Sequence, residues 1–266
     1  MAEKRLPIGV FDSGLGGLSA VREIRKAAPD EDIIYFGDTA RVPYGSRSPE
    51  TIIKYACDDA DFLLGRGVRA LVVACGTVSS VALDLLSSRC PVPVIGVVDG
   101  AAKAAVGATK NGIIGVIGTT VTVNNGSLEK KTREYASAEG KDIKTVSRAC
   151  QLFVALVENG FIGRGNAITE MAVRDYLKPI KESGADTLIL GCTHFPIIAD
   201  IISDFLPGVT LINPSEEAVK ELYAKTEAYK GGGTTEYFVS DAPANFDMLA
   251  EIFLGKKINA SVAEIK

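Results

Sequence analysis

The sequence predicts an α/β protein of two pseudosymmetric α/β domains, with mainly parallel sheets and an active site in the cleft between them. Three observations predict it. Apolar runs of strand type alternate with helical patterns along the whole chain, which is the arrangement of parallel α/β sheets. Two stretches look like copies of each other: Ala70-Leu71-Val72-Val73-Ala74-Cys75-Gly76-Thr77 and Thr187-Leu188-Ile189-Leu190-Gly191-Cys192-Thr193-His194. The run Ile113 to Ile117, followed by Gly118-Thr119, restarts the pattern of the N-terminus. The expected division is 1–98 together with 208–266 as the first domain, and 99–207 as the second.

The elements follow from local pattern. Ile8 to Phe11 reads as a strand that ends in the glycine-rich turn Asp12-Ser13-Gly14-Leu15-Gly16-Gly17, ahead of a helix through Leu18, Val21 and Ile24. The glycine spacing is not GxGxxG, so a phosphate-binding turn is not expected. Ile33 to Phe36 is a second strand, and Gly37 to Gly45 is a loop too polar for core. Ser48-Pro49 starts a helix as cap and first helical residue, which Gly65 or Gly67 ends. After Cys75 come Val78, Val81, Ala82, Leu85 and Leu86, and after Cys192 come Ile198, Ile201, Ile202, Phe205 and Leu206. Both sets follow the spacing of one helix face. Val92 to Val98 reads as a strand, Ala101 to Ala108 as a helix of small residues, and a further helix opens near Thr122. A strand at Ile143 to Val146, a short helix at Leu152 to Val157 and an amphipathic helix at Ile168 to Ile180 follow. The chain closes with a strand at Val209 to Ile212, a helix from Ser215 to Tyr229, a strand at Tyr237 to Ser240 and a helix through Phe246 to Phe253.

Composition narrows the function. At 266 residues, two α/β domains are a natural division. With 47% hydrophobic and 23% charged residues, the chain reads as a globular protein rather than a disordered one. A net charge of −4 with no Lys/Arg-dense stretch argues against nucleic acid. Lys4 and Arg5 precede an apolar run that stops at Asp12, too short for a signal peptide, and no run is long enough to span a membrane. Five cysteines without a CxxC pair suit a reducing compartment, so the expected location is cytoplasmic. His194 is the single histidine, which weakens any metal site.

Strand ends are where open α/β sheets place ligands, so Cys75 and Cys192 are candidates to face one cleft from opposite halves. Helix N-termini just beyond them favour negative charge and lower thiol pKa. Two thiols on opposite sides of a small molecule can invert a stereocentre without a cofactor: a thiolate removes a proton from one face and a thiol returns one to the other. Each then needs an acid–base helper. Asp12 is placed to serve Cys75, and His194, two residues on, to serve Cys192. Ser13, Thr77, Thr193 and nearby backbone N–H groups suit the carboxylate of an amino acid. The plainer reading is that a cysteine is a small buried hydrophobe, and Cys57, Cys90 and Cys150 are left with it. For Asp12 the plainer role is a helix cap, for His194 a structural hydrogen bond, and for Tyr44 a loop-packing ring.

The chain also resembles a known family. Phe11-Asp12-Ser13-Gly14-Leu15-Gly16-Gly17-Leu18, the run Tyr35 to Gly45, Ala74-Cys75-Gly76-Thr77 and Leu190-Gly191-Cys192-Thr193-His194-Phe195-Pro196 look like the motifs of bacterial glutamate racemases. The resemblance implies a cofactor-independent two-base racemase that converts L-glutamate to D-glutamate for peptidoglycan, with Cys75 and Cys192 as bases assisted by Asp12 and His194. It implies substrate contacts at Ser13, Tyr44, Gly45, Gly76, Thr77 and Thr193, and a further acid at Glu158. His194 favours glutamate over aspartate, and a homodimer is expected. The family pattern at the first cysteine is Ala-Cys-Asn-Thr, so Gly76 is a departure, as is Gln151 where Pro is usual. Three alternatives stay open: a racemase of another amino acid using room opened at Gly76, a hydrolase with a cysteine nucleophile activated by His194, and an inactive paralogue that binds a partner protein.

Overall fold

The computed structural model describes residues 6–228, 231–242 and 246–265. Lys4, Arg5 and the expected helix end at Tyr229 lie outside the described residues. The first half runs β1 (Ile8–Asp12), α1 (Leu18–Ala27), β2 (Ile33–Gly37), α2 (Pro49–Leu64), β3 (Ala70–Val73), α3 (Gly76–Val81), α4 (Leu83–Arg89) and β4 (Val94–Gly96). The second runs α5 (Val98–Ala108), β5 (Ile113–Gly118), α6 (Thr120–Asn125), α7 (Ser127–Ala138), β6 (Lys144–Ala149), α8 (Leu152–Glu158), α9 (Ala167–Glu182), β7 (Thr187–Gly191), α10 (Ala199–Phe205) and β8 (Thr210–Ile212). The chain then adds α11 (Pro214–Lys225), β9 (Thr235–Val239), α12 (Phe246–Leu254) and β10 (Ser261–Val262).

All strand pairs among the described residues are parallel. One sheet has the order β10-β9-β2-β1-β3-β4 and the other β6-β5-β7-β8. The shared core order, second-first-third-fourth, makes the pseudosymmetry explicit: β1 matches β5, β3 matches β7, and β4 matches β8. The strand order reverses between β1 and β3 in one sheet and between β5 and β7 in the other. Crevices at such reversals are where ligands bind. β1, β2, β3 and β7 are buried at every position, because helices cover both faces and continuous Val/Ile/Leu runs are what such strands need.

Local chemistry sets several boundaries. Ser48 accepts the Thr51 N–H at 3.3 Å and Pro49 opens α2. Asn166 caps α9 through the Thr169 N–H at 3.1 Å, and Asn213 does so for α11, ahead of Pro214. Pro179 is tolerated inside α9 near its end.

Several expectations change. The helix after Cys75 is broken at Ala82 into α3 and α4, and the one after Cys192 begins as a 3-10 turn, Phe195–Ile198, with Pro196 in its first turn. Only Val94–Gly96 of the run 92–98 pairs as a strand, and Val98 already begins α5. α11 ends at Lys225 because Thr226 is extended. The second sheet reaches beyond 207: β8 pairs with β7 through Thr187↔Thr210 to Ile189↔Ile212. The crossing back toward the first sheet therefore follows Ile212 instead of falling at 208. Sheet membership is a hydrogen-bonding property that the apolar run at 209–212 could satisfy in either half. The edge strand β10, two residues long, is too short to carry a periodic signal.

Candidate active site

The carboxyl ends of β1, β3, β5 and β7 converge, and a cavity of ≈ 190 Å³ lies between the two sheets. That is below the range of about 300–1,000 Å³ usual for drug-sized ligands, so it suits a small metabolite. Its lining includes every residue singled out above: Asp12, Ser13, Tyr44, Gly45, Cys75, Gly76, Thr77, Glu158, Cys192, Thr193 and His194. It also includes Gly14, Val42, Pro43, Thr119, Gln151, Val154 and Gly191, which residue chemistry had not assigned to a site. Thr119 had a readable signal, since it follows β5 as Ser13 follows β1. Its hydroxyl lies 3.2 Å from that of Thr77 and 3.0 Å from that of Thr122, joining the two halves across the pocket floor.

Cys75 follows β3 after Ala74 and caps α3, yet burial and the nearby Asp12 charge push its thiol up to about 12. A six-residue helix does not overcome that desolvation. The expected lowering of this thiol by a helix terminus is thus reversed. The group touching the sulfur is Ser13, whose Oγ lies 3.5 Å from Cys75 Sγ. Asp12 sits beside them with Oδ2 accepting the Gly14 N–H at 2.9 Å. Burial raises the Asp12 pKa, while the charge of His194 and N–H groups of Gly14 and Gly17 work against the rise.

The Cys192 side is built differently. The helical turn just beyond it, Phe195–Ile198, is a short 3-10 one. Cys192 Sγ lies 3.7 Å from His194 Nδ1, and His194 Nε2 lies 2.9 Å from Glu158 Oε1. Burial pulls the imidazole toward neutrality, but hydrogen bonds to Cys192 and Glu158 raise its pKa to about 10. An imidazolium at neutral pH therefore has a carboxylate on one nitrogen and a sulfur near the other. Glu158 ends α8, and Phe253 of α12 sets its ring edge-on to His194, with centroids 5.3 Å apart. Gly16 completes the seat: a Cβ there would stand 2.2 Å from Thr193 Oγ1 and 2.7 Å from His194 Cε1. The glycine-rich turn after β1 thus serves the close approach of the two halves.

Two of the lining residues have close partners of their own. The Tyr44 ring is buried and its hydroxyl donates to Asp38, while residue 44 also lines the cavity. Gly76 opens no space at its own Cβ position: a Cβ would meet the Gly191 carbonyl oxygen at 2.6 Å. The end of β7 fills that room. The five cysteines are free thiols. Among the described residues, no group of three or more His, Cys, Asp or Glu side chains could hold a metal ion, and no helix is long and apolar enough to cross a membrane.

Comparison with known proteins agrees with this geometry. A family profile described as Asp/Glu/Hydantoin racemase matches residues 8–222. The chain is 42% identical to a glutamate racemase of Persephonella marina over 98% of both chains. It is 41% identical to one of Geobacter metallireducens over 94% of this chain and 93% of that one. Among solved structures, it resembles glutamate racemase isoform RacE1 of Bacillus anthracis with TM-score 0.92 and 35% identity, over 99% of each chain. It also resembles the Francisella tularensis glutamate racemase solved in complex with D-glutamate, with TM-score 0.88 and 34% identity over 98% of each chain.

Proposed function

The chain belongs to the Asp/Glu/Hydantoin racemase family, and from that premise we propose that it racemises glutamate by two-base proton transfer between Cys75 and Cys192. The observation that carries the reading is that the two cysteines line one small pocket from the carboxyl ends of matching strands in opposite sheets, each with its own polar partner.

The chemistry follows from the asymmetry of the two sides. Cys75 rests as a thiol, a proton donor. The imidazolium of His194 is the opposite charge that a thiolate at Cys192 needs. With substrate between them, the Cys192 thiolate takes the α-proton from one face, and the Cys75 thiol gives its proton to the other. The carbanionic intermediate is neutralised, the configuration is inverted, and no electrons are gained or lost. The reverse direction needs Cys75 as the base, and Ser13 is the donor that supports its thiolate. The carboxylates of the substrate are met by neutral donors: the hydroxyls of Ser13, Thr77, Thr119 and Thr193 and backbone N–H groups. Among the described residues no Lys or Arg lines the cavity, so His194 supplies the positive charge. D-glutamate made here would serve peptidoglycan synthesis, as the family resemblance implies.

The test is incubation with L-glutamate in D₂O, without added cofactor, following circular dichroism and α-proton exchange, beside Cys75→Ser and Cys192→Ser. Loss of optical activity with deuterium uptake, abolished in both variants, is expected. Exchange with another amino acid but not glutamate would overturn the substrate assignment. Undiminished racemisation in either variant would overturn the two-base mechanism.

A further inference from the structure

Behind the pocket wall formed by Val42, Pro43, Tyr44 and Gly45 lies a polar cluster, buried at Asp38 and Asp59 and half-buried at Arg41 and Asp58, that the chemistry above does not use. Arg41 donates from Nε to Asp38 at 2.6 Å, from Nη1 to Asp58 at 2.7 Å and from Nη2 to Asp59 at 3.0 Å. Its guanidinium lies over the Tyr55 ring, 4.2 Å from the centroid. Asp38 and Asp59 are fully buried. The Tyr44 hydroxyl touches both: it contacts Asp38 Oδ2 and lies 3.2 Å from Asp59 Oδ2. Ser240, at the end of β9, donates to Asp38 Oδ1 at 2.8 Å.

The proton count of this cluster does not close with three carboxylates. One guanidinium faces Asp38, Asp58 and Asp59. A phenol has a single proton and cannot donate to two carboxylates at once. Asp38 already accepts from Arg41 and Ser240 and is the closer of the two to the hydroxyl, so it is the ionised acceptor of the phenol proton. The Tyr44 oxygen then has lone pairs facing Asp59 Oδ2, and an oxygen of a carboxylate there would meet them without a proton between.

We infer that Asp59 is held as the neutral acid, donating to the Tyr44 oxygen while Tyr44 donates to Asp38, and that this clamp fixes the pocket wall at residues 42–45. Asp38 and Asp59 are then positioning residues for the racemase site, and in that respect the inference rests on the function proposed above. Burial and the neighbouring Asp38 charge raise the Asp59 pKa, in agreement with the proton count. Asp38 follows β2 and Asp59 sits on α2, so the clamp ties one wall of the pocket to two elements of the first half.

The proton assignment dictates the test. Asparagine at 59 reproduces a neutral acid, with Nδ2 donating to Tyr44 and Oδ1 accepting from Arg41. Asparagine at 38 cannot accept from Tyr44, Arg41 and Ser240 together. Amide hydrogen exchange over residues 42–46 is measured for wild type, Asp59→Asn, Asp38→Asn and Tyr44→Phe. Asp59→Asn is expected to match wild type, whereas Asp38→Asn and Tyr44→Phe exchange about tenfold faster. In the racemase assay the latter two raise KM about tenfold and change kcat less. Tyr44→Phe stands in should Asp38→Asn fail to fold. Exchange in Asp59→Asn as fast as in Tyr44→Phe overturns the neutral acid, and wild-type exchange in Tyr44→Phe overturns the clamp. Exchange needs no turnover, so a wild-type protein inert toward glutamate would refute the function while leaving the clamp decided on its own.

Discussion

Glu158→Gln isolates one charge in the site. The glutamine keeps the length and an acceptor for His194 Nε2–H at the present 2.9 Å, and removes only the carboxylate charge. A hydrogen bond between ionised partners has a net value of about 1.5–3 kcal/mol, against about 0.5–1.5 for a neutral one. The Glu158 side chain is 35% exposed, so screening by solvent favours the smaller difference, about 1 kcal/mol. By the conversion of about 1.4 kcal/mol per pKa unit, the His194 pKa should fall by a little under one unit, from about 10 toward about 9. The chain has a single histidine, so one set of ring resonances in an NMR titration reports it without assignment. The sign for stability follows. The folded pKa lies above the ordinary 6.5, so pairing stabilises the fold fully below about 6.5 and less as pH climbs through about 10. Wild type should therefore exceed Glu158→Gln in stability at pH 6, and the gap should close by pH 11. A wild-type His194 titrating near 6.5 would refute the imidazolium, and the same titration in both proteins would refute the Glu158 pair as a contributor to the raised pKa.

Two other predictions use the same site. Gly16→Ala places a methyl against Thr193 and His194, which are themselves backed by Phe253 and Glu158, and should cost about 1–3 kcal/mol of overpacking; urea unfolding measures it, and an unchanged midpoint would show that the two halves part easily. The Cys75 thiol, pushed up to about 12, should alkylate with iodoacetamide at a rate that climbs tenfold per pH unit from pH 7 to beyond 10. A plateau below pH 9 at this residue, read by peptide mapping, would mean that the free enzyme stores its thiolate there.

Much of the site was legible because it sits at strand ends. An apolar run followed by Asp12-Ser13, Cys75-Gly76-Thr77, Thr119 or Cys192-Thr193-His194 is a local pattern, and parallel sheets put the ends of such runs on one edge. The matched units around Cys75 and Cys192 therefore announced a two-sided pocket without any long-range information. Glu158 was reached only through the family resemblance, since a carboxylate ending a short helix carries no periodic signal. The glycines at 14, 16 and 17 were visible as a turn, but the use of Gly16 was not, because its partner lies in the other half of the chain.

What the sequence by itself determined is the alternation of strands and helices, the duplication, and which reactive side chains stand at strand ends, since all of these are written in spacings of a few residues. Only the tertiary structure decided how those side chains are paired. It set Ser13, 62 residues before Cys75, against that sulfur, and Glu158, 36 residues before His194, against its imidazole. It turned the Tyr44 hydroxyl to Asp38 and Asp59, filled the position beside Gly76 with the Gly191 carbonyl, and joined β8 to the second sheet. Periodicity records which face of an element is apolar, whereas these pairings depend on how two separately formed sheets meet. The pKa of a buried thiol or imidazole is settled by that meeting, because desolvation and the nearest charge both come from residues distant in the chain.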